Sequence, residues 1–168
     1  MLARKIFPSH ALQQKDARAG LHIDPDGTFE GYASLFGLVD LGGDQMAPGA
    51  FIRSLHKRGA RDVRMLWQHD PALPIGSWTS IAEDGRGLKV KGRLNLAVGR
   101  AREALALMRE GAVDGLSIGF RVKSAQKSAG GGIRRLLEVD LWEISIVTFP
   151  MLPQARITQV KQRTASFH

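Results

Sequence analysis

The run Ser128-Ala129-Gly130-Gly131-Gly132, set between two alternating segments, constrains this chain more than any other feature. Upstream, Leu116, Ile118, Phe120 and Val122 fall on one face of an extended segment, and Ser117, Gly119, Arg121 and Lys123 on the other. Downstream, a second apolar alternation runs from Leu137 to Ile146. Consecutive glycines supply the permissive backbone that a hairpin turn needs. The pattern predicts two antiparallel strands joined near Gly130. A turn centred there sets Ser117 opposite Glu143, both on the face away from the core. A hydroxyl facing a carboxylate is the start of a nucleophile site, and what it lacks is a base.

Five histidines compete for that role: His10, His22, His56, His69 and His168. His10 and His168 lie in the terminal segments, His22 sits beside Gly20, and His56 falls in a predicted surface helix. His69 ends the run from Val63, which reads as a buried strand stopped by Asp70-Pro71. Strand ends are where scaffolds present working side chains, although an isolated histidine is more often an ordinary surface group.

Two acids compete for the third place. Apolar residues fall on odd positions at Leu137, Val139 and Leu141, then on even positions at Trp142, Ile144 and Ile146. One extra residue, a β-bulge near Leu141-Trp142, reconciles the phases and leaves Glu138, Asp140, Glu143 and Ser145 on the polar face. Bulges re-aim side chains beside active sites, which favours Glu143, with Asp140 as the fallback. The segment Gly115-Leu116-Ser117-Ile118-Gly119 matches the Gly-x-Ser-x-Gly pattern, but the alternation after it predicts a strand and not the helix of a nucleophile elbow.

Five segments, in order, resemble the prohead proteases of tailed phages, the capsid-maturation family also found in gene transfer agents. They are Gly31–Phe36, Asp44–Phe51, Leu66–Asp70, Gly115–Phe120 and Leu141–Pro150, so the resemblance runs from about Gly31 to Ala155. The family is related in fold to the herpesvirus assemblins. The resemblance implies a mainly β fold, an antiparallel β-barrel with two or three flanking helices, and a serine endopeptidase with His69 as base and Ser117 as nucleophile. For the acid, relatives use either a carboxylate or a second histidine. No histidine follows Ser117 before His168, so an acid, Glu143 or else Asp140, is the orienter. The implied substrates are the scaffold and the scaffolding part of the major capsid protein, with self-cleavage and oligomerisation left open. The implied place is the host or bacterial cytoplasm, inside the assembling procapsid.

Composition narrows the alternatives. A chain of 168 residues, 43% hydrophobic, can bury one core, assigned here to residues 19–156 between a basic segment 1–18 and a tail 157–168. With no cysteine, disulfides, thiolate metal sites and a cysteine nucleophile are excluded. No cofactor is expected, and no histidine spacing suggests a metal. No apolar run reaches the roughly 20 residues needed to span a bilayer, and the first residues lack the apolar stretch of a secretory signal. The net charge of +8 invites a nucleic-acid-binding or non-catalytic barrel as the rival reading. Aromatic residues are only 7% of the chain and are not interleaved with the basic ones, which argues against a stacking platform.

Coarser patterns predict strands over Phe29–Phe36, Val63–Trp67, Ile75–Ile81 and Gly87–Leu96, with a hairpin turn over 83–87. Helices are predicted over 48–59 and about 100–110, the second covering the barrel with Ala101, Leu105 and Met108. Oxyanion donors are expected from backbone amides of the loop 148–156, with Arg156 as a weaker candidate.

Overall fold

The computed structural model describes residues 23–158, so the segment 1–18 and most of the tail lie outside the described residues. The order is β1 (Thr28–Leu35), β2 (Asp44–Met46), α1 (Ile52–Arg58), β3 (Arg64–Trp67), β4 (Asp70–Glu83) and β5 (Gly87–Leu94). Then follow α2 (Gly99–Arg109), β6 (Gly115–Lys127), β7 (Arg134–Val147) and β8 (Ile157–Thr158). A single 3₁₀ turn, Ala60–Asp62, follows α1.

All eight strands form one curled sheet. Short turns make the hairpins β3–β4, β4–β5 and β6–β7, and these are antiparallel as expected. The wholly antiparallel expectation is corrected, because β7 pairs in parallel with β2 and with β3. Both reach β7 through long crossovers, so no tight turn dictates their direction. The pairings run β6–β7–β3–β4–β5–β1–β8 and return to β6 through a bridge between Gly115 and Arg156. Ile157 and Thr158, read from sequence as the start of a tail, form that return by pairing with Gly31 and Glu30 of β1.

The long strands bury one face around a common core. Phe29 and Trp78, both fully buried, meet edge to face with ring centroids 5.5 Å apart. Each such side chain contributes about 1.5–3 kcal/mol relative to exposure. Gly92 makes room for Trp78: a β-carbon at 92 would stand 2.7 Å from the indole ring. Helix α2 forms from good helix formers and ends at Gly111, whose φ of 73° stops it. It buries Ala101, Ala104, Leu105 and Met108, the predicted stripe with one added residue. Helix α1 is shorter than predicted because Pro48 and Gly49 stay in the turn before it.

Candidate active site

The β6–β7 hairpin carries Ser117, Glu143 and the fallback acid Asp140, and its register differs from the sequence expectation. Ser117 pairs with Ser145, and Gly119 pairs with Glu143. The pair nearest the turn is Lys127 with Arg134, one residue later than a turn centred on Gly130 gives. The bulge adds the second residue: Phe120 pairs with Leu141 and Gly119 with Glu143, leaving Trp142 extra on β7. That bulge lies where the phase break in the sequence put it. A second irregularity skips Leu137, so that Leu136 and not Leu137 enters the core.

The bulge is secured from outside the sheet. The Leu141 amide donates to Ser54 Oγ of α1 at 2.8 Å, and Arg58 of α1 pairs with Asp140 at 3.0 Å. Trp142 stands outward, 47% exposed, with the Arg58 guanidinium 4.8 Å from its ring centre. The hydrogen bond from Arg58, helped by the charges of Lys57 and Lys123, holds the Asp140 carboxyl below its ordinary range. Asp140 is thus committed to α1.

Glu143 is committed elsewhere. Its Oε1 meets His69 Nδ1, and its Oε2 accepts the Ser145 hydroxyl at 2.6 Å. It reaches His69 by lying over Gly119, where an added β-carbon would fall 2.3 Å from Oε1. Gly119 is a residue that sequence reasoning passed over as a member of the polar face. A lone glycine inside an alternating strand is the signal that marks such a close approach.

His69 does not end a strand. Gln68 and His69 form the two-residue loop between Trp67 of β3 and Asp70 of β4, at φ values of 53° and 60°. Positive φ at both central positions is the type I′ pattern, normally met with Asn-Gly. Asp70-Pro71 begins β4 instead of stopping β3, because a residue before proline is driven to extended backbone. Strained backbone persists only where the surroundings hold it. Here the Gln68 amide donates to the Ile146 carbonyl at 3.0 Å, the Gln68 side chain exchanges two hydrogen bonds with Thr148, and the His69 amide donates to Ser145 Oγ at 3.1 Å. The His69 side chain remains 41% exposed, whereas that of Glu143 is 14% exposed.

Ser117 lies on the face predicted for it, but that face is not open surface. It is buried, sharing the face with Ser145, Gly119 and Glu143, against which the His69 turn packs. Its hydroxyl makes no hydrogen bond among the described residues. Ser117 and His69 line one cavity of about 240 Å³, with Leu38, Met46, Ile118, Phe120 and Met151 among its apolar walls. The strand continues from Gly115 to Lys127, so no nucleophile elbow is present. Arg156 is occupied, pairing with Asp114 at 2.6 Å and donating to the Pro153 carbonyl at 2.8 Å. His56 is exposed on α1, while His10, His22 and His168 lie outside the described residues.

No cluster of metal-ligating side chains occurs among the described residues. No helix among them is long and apolar enough to cross a membrane. The arrangement sets an imidazole, one nitrogen held by a carboxylate, beside a cavity that a serine also lines. These are the parts of acyl transfer by an activated serine.

The chain is 41% identical over 138 residues to the prohead protease of Enterobacteria phage HK97, covering 80% of this chain and 60% of that protein. It therefore spans about 60% of the length of that curated relative. It is 34% identical over 105 residues to the capsid polyprotein of Pseudomonas phage PAJU2, covering 59% of this chain and 16% of that protein. Among solved structures, the bacteriophage T4 capsid assembly protease superposes with a TM-score of 0.56 at 14% identity, over 71% of this chain and 80% of that one, a likeness of fold. The family model for caudovirus prohead serine proteases matches residues 16–168. The chain belongs to the prohead serine protease family of tailed phages.

Proposed function

We propose that this chain is a serine endopeptidase of prohead maturation in which Ser117 attacks, His69 moves the proton and Glu143 orients His69. One observation carries the assignment of roles: the Glu143 carboxylate holds His69 Nδ1 beside a cavity that Ser117 also lines. A substrate carbonyl filling that cavity brings Ser117 Oγ and His69 Nε2 into contact, since such hydrogen bonds tighten in the Michaelis complex. His69 takes the serine proton as Oγ bonds to the carbonyl carbon. It then returns that proton to the leaving amine, and a water repeats the sequence on the acyl-enzyme. Glu143 stabilises the imidazolium in both halves.

The substrates are the scaffold and the scaffolding segment of the capsid protein, inside the procapsid in the host cytoplasm. The occurrence of a similar segment within a protein named a capsid polyprotein supports a capsid partner. The net charge of +8 suits acidic scaffold segments. Co-expression with the capsid protein of the same phage, followed by intact mass, tests the reading. The wild type is expected to yield a shortened capsid protein and Ser117→Ala the full-length one. The same masses from both chains would overturn it.

A further inference from the structure

Ser145 is fully buried on β7, directly across the ladder from Ser117. Its hydroxyl makes two hydrogen bonds, and their polarity is forced. The His69 amide can only donate, so the Ser145 oxygen accepts there, at 3.1 Å. The single hydroxyl proton must then go to the other partner, Glu143 Oε2, at 2.6 Å. A hydroxyl donated to Oε2 favours the ionised carboxylate, and an ionised Glu143 Oε1 can only accept, so that form takes its hydrogen bond from His69 Nδ1. The ring proton therefore sits on Nδ1, and Nε2 carries the lone pair that a general base needs.

We propose that Ser145 is a positioning residue of the protease. One hydroxyl ties the backbone of the strained His69 turn to the carboxylate that orients the His69 ring, and so sets both the place and the tautomer of the base. The proposal rests on the reading of His69 as base. A buried serine that merely satisfied a backbone amide would affect folding and not the imidazole. The hydroxyl reaches the acid as well, with the shorter of its two bonds.

The test uses Ser145→Ala in the full chain, checked for folding by near-ultraviolet circular dichroism and thermal melting. Loss of a hydrogen bond to a charged group predicts a fall of about 10- to 100-fold in kcat, with KM within about twofold. In a Glu143→Gln background the same change is expected to cost little, because both act through one imidazole. Independently of turnover, the downfield proton resonance of His69 Nδ1–H in the wild type is expected to shift or be lost by exchange in Ser145→Ala. Should the alanine chain fail to fold, Ser145→Cys, close in volume but a weak hydrogen bonder, is read by the same two measurements. A folded variant with the His69 resonance unmoved overturns the proposal, whatever its activity. A wild type that cleaves nothing, with a resonance that responds to Ser145→Ala, overturns the protease reading and leaves the role of Ser145 standing.

Discussion

Glu143 reaches His69 across Gly119, and the missing β-carbon at 119 is what leaves the path open. Gly119 and Glu143 are partners in the β6–β7 ladder, and an ideal β-carbon at 119 would stand 2.3 Å from Oε1 and 2.8 Å from Cδ and Cγ of the acid. Backbone fixes the position of Gly119, so the carboxylate would have to move. Gly119→Ala is expected to lower kcat by about 10²-fold, the scale of a catalytic group misplaced by about 1 Å. Steady-state kinetics on a chain of unchanged melting temperature checks this. Activity within twofold of wild type would show that Glu143 can orient His69 by another route.

The two acids separate by substitution. Glu143→Gln is predicted to reduce turnover toward the roughly 10⁴-fold lost when the orienting acid of a chymotrypsin-like triad is neutralised. Asp140→Asn is predicted to cost at most a few-fold, because Asp140 is held by Arg58 and Ser54 of α1. Rates of capsid-protein cleavage by the two variants decide the matter. The reverse order of damage would move the acid to Asp140.

Asp140 carries a pH signature of its own. Its carboxyl is held below the ordinary value of 3.8, first by the Arg58 hydrogen bond. A carboxylate with a depressed folded-state pKa adds stability that is fully present above its unfolded value and is lost as pH falls through the folded one. Asp140→Asn should therefore lower the melting temperature by a constant amount above about pH 5. The gap between the two chains should close below pH 3.8. Thermal melts from pH 2 to pH 7 measure it, and a gap that persists undiminished at the acid end would show that Arg58 contributes packing and not charge pairing.

Much of the fold around the candidate site was legible in the sequence, and the parts that were not have physical causes. Alternation around the glycine run located β6 and β7, and the change of phase at Leu141-Trp142 located the bulge. The facing of Ser117 and Glu143 came out two residues wrong because register accumulates. The turn closes one residue later than assumed, and the bulge, although foreseen, adds another that must be counted along the strand. The Gln68-His69 turn was hidden because its residues carry no turn signal, the positive φ being held by contacts from β7 and from Thr148 just after it. Parallel pairing of β3 with β7 joins residues some eighty positions apart, such as Arg64 with Glu143, and no local pattern encodes it. Ser145 was visible as one more polar position, yet the role proposed for it depends on the His69 amide arriving from another hairpin.

Labelling with a fluorophosphonate, followed by peptide mapping, tests the assignment of Ser117 most directly. The reagent reacts with a serine whose proton a neighbouring base removes. The wild-type chain is predicted to gain a single adduct, on Ser117. Ser117→Ala is predicted to gain none, and His69→Ala to react at least about 10²-fold more slowly, as expected for loss of a general base. An adduct on another residue, or labelling of Ser117 at an equal rate without His69, would contradict the proposed mechanism.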